Sequence, residues 1–192
     1  MHLRHDVVVL AGGGATRLGG VDKVTLPLAG RSSLDRVLEA TSAADRVVVV
    51  GPERPTAVPV TWCRESPENS GPLAAVAAAV PHTDAGVVMV VAGDMPRVGA
   101  ALDALLTALA GAPDVDAAVL YDAAGLAQPL AAAYRRPALV RRLAAVGDPT
   151  GRPARLLLDR LATVPVAVAG AADDCDTWDD VDRIERELRR AR

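Results

Sequence analysis

Phenylalanine is missing from the 192 residues, and the aromatic complement is Trp62, Trp178, Tyr121 and Tyr134. A core made from this chain must therefore be aliphatic, with Ala, Val and Leu doing the packing. A protein so poor in aromatic faces also lacks a stacking platform for single-stranded nucleic acid. Lysine is scarcer still: of 21 basic side chains only Lys23 is a lysine. With a formal net charge of −3 the chain has no broad basic footprint for a polyanionic polymer, so an anion must be held locally. Cys63 and Cys175 give no disulfide framework and suit a reducing compartment. Long hydrophobic runs are absent as well. The first, Val7–Ala11, is far too short for a signal h-region or a membrane span, and the chain reads as soluble and cytoplasmic.

What is present alternates. Val7–Leu10, Arg46–Val50 and Gly86–Ala92 are buried-strand patterns, with Val58–Cys63 as a weaker strand and Val24–Leu28 as a short extended piece. A helix is expected from Ser32–Asp35 to about Ala44, its apolar face marked by Leu34, Val37, Leu38 and Thr41. Leu73–Val80, Ala100–Ala110, Pro137–Ala145, Pro153–Ala162 and Asp179–Arg190 read as further helices, and Asp116–Tyr121, Leu130–Tyr134 and Val164–Val168 as strands. No repeat, low-complexity linker or boundary divides the chain, so residues 1–192 are expected to form one domain. The rhythm calls for a three-layer α/β fold with a mostly parallel sheet and helices on both faces. Ligands of such sheets sit beyond the carboxyl ends of the strands, which makes the polar clusters after Leu10, Cys63, Ala92 and Val168 neighbours in space.

The first of those clusters is rich in glycine: Gly12-Gly13-Gly14-Ala15-Thr16-Arg17-Leu18-Gly19-Gly20-Val21-Asp22-Lys23. Glycine lets backbone N–H groups approach phosphate oxygens without interference from a Cβ. Lys23 is followed by Val24 and Thr25, not by the Ser or Thr of the common phosphate loop, and the segment is too long for the dinucleotide fingerprint. In a sequence that uses arginine everywhere else, a retained ammonium points to a phosphate that needs a compact charge. Asp94 follows a buried strand and precedes a Met-Pro step. A carboxylate so placed suits Mg²⁺, a hard cation that takes few protein ligands alongside water and phosphate oxygens. Either Asp174 or Asp176 could give the metal a second carboxylate, or the segment could serve the helix start, where Thr177 and Asp180 form a capping box. His2, His5 and His82 lack ligand spacing and read as solvated; Trp62 and Trp178 read as partly buried packing residues.

Leu10-Ala11-Gly12-Gly13-x-x-x-Arg17-Leu18-Gly19-Gly20-x-Asp22-Lys23 closely resembles the signature of the molybdenum cofactor guanylyltransferase family, a group of Rossmann-like nucleotidyltransferases. Gly71-Pro72-Leu73-Ala74, Gly93-Asp94-Met95-Pro96, Gln128-Pro129-Leu130 and the Asp174–Val181 segment resemble its later motifs. The resemblance implies a Mg²⁺-dependent transfer of GMP from GTP to the phosphate of molybdopterin, with release of pyrophosphate. It implies Arg17, Lys23 and Asp94 as catalytic groups. The nucleotide would be bound by those three with Leu10, Ala11, Gly12, Gly13, Glu65 and Gly71. Asp94 and Asp176 would hold the metal, and Gln128, Arg152 and Arg155 stand on the acceptor side.

The sequence departs from the family pattern at three places: Gly51 stands where some members have Asn, Gly93 where Cys is usual, and Trp178 where Pro is usual. Glu65 lies one residue closer to Gly71 than the family's acidic residue does, and a plain solvated loop Glu is the other reading. Guanine over cytosine rests on Leu10-Ala11-Gly12-Gly13, since cytidylyl relatives usually carry Leu-Ala-Ala-Gly. A cytidylyltransferase, a relative acting on a sugar phosphate or phospholactate, and a catalytically inactive nucleotide-binding protein are the rivals. The partners implied are small molecules, with transient contacts to proteins that deliver or accept the cofactor, no nucleic acid and no membrane. The chain is expected to be a monomer or a weak homo-oligomer.

Overall fold

Continuous apolar runs need cover on both faces, and the chain places them at the centre of a sheet. The computed structural model describes residues 3–12 and 21–190. Its strands are β1 (His5–Leu10), β2 (Pro27–Leu28), β3 (Arg31–Ser32), β4 (Arg46–Val50), β5 (Thr61–Cys63), β6 (Val87–Ala92), β7 (Ala117–Tyr121), β8 (Ala127–Arg135) and β9 (Thr163–Ala167). The helices are α1 (Ser33–Ala40), α2 (Pro72–Ala79), α3 (Gly99–Gly111), α4 (Arg136–Val146) and α5 (Trp178–Arg190). Among the described residues seven strands form one sheet in the order β5-β4-β1-β6-β8-β7-β9. Every neighbouring pair is parallel except the two that involve β8, which runs antiparallel to β6 and to β7.

The side-chain alternation of β1 and β6 separates two cores. Val7, Val9, Met89 and Val91 face α1 and α3, packing with Leu34, Leu38, Leu102 and Leu105. Val8, Leu10, Val88 and Val90 face the other way, against Leu73, Val76 and Ala79 of α2 and Leu139 of α4. A three-layer α/β architecture with helices on both faces results, as the sequence pattern predicts. The small hairpin β2–β3 stands off the sheet. Leu26 and Leu28 there bury against Cys175, Val181 and Ile184, which docks α5.

Several local expectations change. Helix α1 starts on Ser32, whose hydroxyl accepts the Asp35 N–H at 3.0 Å, but it ends at Ala40. Thr41 turns its hydroxyl back to the Leu38 carbonyl at 2.8 Å and stops the run there. The expected helix over 153–162 shrinks to a 3-10 turn at Ala154–Leu157. Arg142 Nε donates to the Leu156 carbonyl at 2.5 Å, and Arg160 takes a left-handed φ of 61°, so helical hydrogen bonding cannot continue. Lys23–Thr25 likewise forms a 3-10 turn where an extended piece was expected.

His5 is buried, not solvated, because its strand lies between β4 and β6; its Nδ1 sits 2.9 Å from the Leu3 carbonyl. Trp62 packs against the core, whereas Trp178 at the start of α5 is 51 % exposed. Among the described residues no helix is long and apolar enough to cross a membrane.

Candidate active site

The three central parallel strands end together, and their ladder continues one step past each end. Ala11 N–H donates to Val50 O at 2.8 Å, Gly93 N–H to Leu10 O at 2.8 Å, and Gly51 N–H to Cys63 O at 3.1 Å. These bonds bring the loops after β1, β4, β5 and β6 to one rim. A cleft of about 330 Å³ opens there, lined by Leu10, Gly12, Asp22, Lys23, Val24, Val50, Glu65, Asn69, Gly71, Pro72, Ala75, Ala92, Asp94 and Leu130. Its lining mixes aliphatic side chains with a few charged ones, the usual make-up of a small-molecule site.

Lys23 opens the 3-10 turn, which Asp22 begins: the Thr25 N–H and hydroxyl both donate to the Asp22 carbonyl, at 3.1 and 2.9 Å. Val24 and Leu26 point inward and are buried, so the turn is anchored while Lys23 faces the cleft. Asp94 is held with equal care. Ser33 Oγ donates to the Gly93 carbonyl at 2.8 Å, and Met95 and Val98 bury themselves on the far side of the turn. Cys175 N–H donates to the Asp94 carbonyl at 3.2 Å, which ties the segment before α5 to the end of β6. As a result Lys23 Nζ lies 3.9 Å from Asp94 Oδ2 and in direct contact with Asp176 Oδ1.

Charge at this rim is strongly coupled. Burial raises the Asp94 carboxyl above its ordinary pKa, with Lys23 opposing and Asp176 reinforcing the shift. Burial also leads for Asp174, and with the fields of Asp176 and Asp94 it pushes that carboxyl up to about 6. Burial works against the Lys23 charge, but the hydrogen bond to Asp176 and the field of Asp94 overcome it and raise the ammonium. Behind the site, Arg183 Nη1 donates to Asp173 Oδ2 at 2.5 Å and Arg97 Nη1 stands 3.6 Å from the same oxygen, so the acidic segment is braced from outside.

The residues singled out from sequence fall into three groups. Leu10, Gly12, Lys23, Glu65, Gly71 and Asp94 line the cleft, Ala11 lies buried just beneath it, and Asp176 joins through Lys23. Glu65 accepts the Asn69 N–H at 3.0 Å, and Gly71 sits with φ 93° as the residue before α2. Gln128, Arg152 and Arg155 do not line the cleft: the Gln128 amide donates to Asp122 Oδ2 at 2.8 Å, and both arginines are exposed. Gly13 and Arg17 lie outside the described residues.

One clamp escapes sequence reasoning. Arg54 donates to Asp22 Oδ2 from Nε at 2.9 Å and to the Ala11 carbonyl from Nη1 at 3.1 Å. It thereby joins the two described ends of the glycine-rich segment. Its signal was its place four residues past a central strand, at the end where ligands gather. Asn69, which motif reading passed over, also lines the cleft, as does Asp22, quoted in the motif without a role of its own.

The donor set fits a hard divalent cation. Among the described residues Asp22, Glu65, Asp94, Asp174 and Asp176 gather here against Lys23 and Arg54, an excess of carboxylate. Among the described residues no group of three His, Cys, Asp or Glu side chains is placed to hold a metal ion by itself.

Residues 7–164 match the model of the MobA-like NTP transferase domain. A molybdenum cofactor guanylyltransferase of Shewanella sp. (strain MR-4) is 32 % identical over 127 residues, covering 64 % of each chain. A probable one of Methanosarcina acetivorans is 30 % identical over 148 residues, 70 % of this chain and 65 % of the relative. The bifunctional protein GlmU of Azoarcus sp. (strain BH72) is 39 % identical over 117 residues, 55 % of this chain but 26 % of the relative. The chain thus spans about a quarter of that relative and just under two thirds of the guanylyltransferases.

Among solved structures, molybdopterin-guanine dinucleotide biosynthesis protein A of Archaeoglobus fulgidus superposes with a TM-score of 0.71 at 24 % identity, covering 96 % of this chain and 99 % of the other. A nucleotidyl transferase of Methanothermobacter reaches 0.75 at 22 % identity over 98 % and 99 %. At such identities these likenesses speak for the fold. With the family model spanning most of its length, the chain belongs to the MobA-like NTP transferase family.

Proposed function

We propose that this protein is a molybdenum cofactor guanylyltransferase, joining GMP from GTP to the terminal phosphate of molybdopterin and releasing pyrophosphate. The observation that carries the reading is the meeting of Lys23 and Asp94 across 3.9 Å at the rim of a cleft of about 330 Å³. Two polyanions must be brought together, so the protein's work is electrostatic and positional. Lys23 would neutralise triphosphate oxygens, and Arg17 would hold the leaving pyrophosphate. Backbone N–H groups of the glycine-rich segment would cradle the same oxygens. The base would lie along the aliphatic side chains of Leu10, Val50 and Ala75, with Glu65 and Asn69 as its polar contacts.

Asp94 and Asp176 would hold Mg²⁺, which when bound supplies charge neutralisation at the phosphates. An attacking phosphate monoester is already largely ionised near neutral pH, so no general base is required. Gln128, Arg152 and Arg155 are assigned to the acceptor side. Cytosine in place of guanine, or a sugar phosphate in place of molybdopterin, are the rival specificities.

The test is an assay of purified protein with each nucleoside triphosphate in turn, Mg²⁺ and molybdopterin, read as pyrophosphate. Release is expected with GTP. Preference for CTP reassigns the base, and tight Mg-GTP binding without pyrophosphate from any acceptor overturns the enzyme.

A further inference from the structure

We propose that Lys23 occupies the divalent-cation position between Asp94 and Asp176 until a nucleoside triphosphate draws its ammonium away, so that metal and nucleotide bind as a coupled pair. The inference rests on the nucleotidyl-transfer reading and adds an order to it.

The backbone brings the segments that carry Asp94 and Asp176 together. The bond from Cys175 N–H to the Asp94 carbonyl fixes the acidic segment against the end of β6, and Arg183 and Arg97 grip Asp173 beside it. The two carboxylates repel each other, and a cation within reach of both relieves that repulsion. Lys23 is that cation, in contact with Asp176 and 3.9 Å from Asp94. A divalent ion approaching the same oxygens meets the ammonium at short range and is repelled.

Lys23 has somewhere else to go. Its side chain is a flexible four-carbon stem with three donors, mounted on an anchored turn at the cleft. A bound triphosphate offers it a denser anion, and the vacated carboxylates then take the metal. The exchange keeps both carboxylates and phosphates neutralised throughout. An arginine would span both carboxylates with its planar fork and resist the transfer.

The consequence is linkage: nucleotide and metal each tighten the other by the same factor, because each relieves the position the other needs. Mn²⁺ titration of the nucleotide-free protein, followed by the electron paramagnetic resonance signal of the free ion, reads this without turnover. Lys23→Met is expected to bind Mn²⁺ at least about tenfold more tightly than wild type, and Asp176→Asn in that background is expected to remove the gain. Lys23→Gln serves the same purpose if circular dichroism shows the Met variant unfolded.

A folded variant that binds Mn²⁺ no better than wild type overturns the exchange, as does a gain that survives Asp176→Asn. The guanylyltransferase reading fails separately. A GTP analogue with a methylene between its α and β phosphorus atoms, added with Mn²⁺, must bind wild type; if it does not, GTP as the donor is lost whatever Lys23 does.

Discussion

At Lys23 the shape of the charge matters as much as its sign. Lys23→Arg keeps the charge but brings a planar fork that would bridge Asp94 and Asp176 and stay there. Turnover measured by pyrophosphate release is expected to fall on the order of 10²-fold; near-normal activity would remove the special role. Gly51 is constrained differently. It adopts φ 146°, and a Cβ there would lie 2.7 Å from Ala11 C and O and 2.9 Å from Gly12 N. Those are backbone atoms that cannot swing aside, so a side chain at this position, Asn included, requires a different path for the segment. Gly51→Ala is expected to cost about 1–3 kcal/mol in denaturant unfolding. An unchanged midpoint would show that the strand end tolerates the shift.

At the scale of elements, the segment that carries Asp174 and Asp176 has little structure of its own. It is placed by the Cys175–Asp94 backbone bond and by α5, whose Val181 and Ile184 bury against Leu26 and Leu28. Charged residues brace the helix: Arg97 pairs with Glu187, and Arg183 with Asp173 and Asp180. Half-exposed pairs of this kind are screened by solvent and contribute little each, so the apolar contact dominates. Ile184→Ala is expected to destabilise the protein by about 2–4 kcal/mol and to speed amide exchange in α5 ahead of the central strands. Uniform exchange across the molecule would mean that α5 is not separately anchored. The same contact places the acidic segment opposite Lys23, so loosening α5 acts on the site from a distance.

For the whole molecule, the crowding of carboxylates at the rim sets a pH dependence. Asp174 titrates near 6 when folded and near 3.8 when unfolded. Between those values the folded protein keeps a proton that the unfolded chain has lost. The stability tied to that proton is therefore complete below about pH 4 and disappears as pH rises through about 6. Asp94, also raised, acts in the same direction. In metal-free buffer the thermal midpoint is expected to decline over this window, and less steeply in Asp174→Asn. Parallel profiles for the two proteins would assign the decline to other groups.

Strand runs such as Val7–Leu10 and Val87–Ala92 were legible in the sequence because burial on both faces leaves no polar position to mislead. The charged helix near the end was equally plain. Lys23 and Asp94 were legible as types, one from its rarity and the other from its place after a strand. The sequence could not disclose the antiparallel run of β8, since strand direction depends on partners. Nor could it disclose the short 3-10 turn at Ala154–Leu157, where a side chain from α4 takes the carbonyl that a helix would use. The Arg54 clamp on Asp22 and Ala11, and the burial of His5, also exist only once distant segments meet. Composition and periodicity thus determined the layers and the chemical groups available. Tertiary structure alone decided that a lysine from one loop would stand between carboxylates from two others, because a charge finds its partners across space and not along the chain.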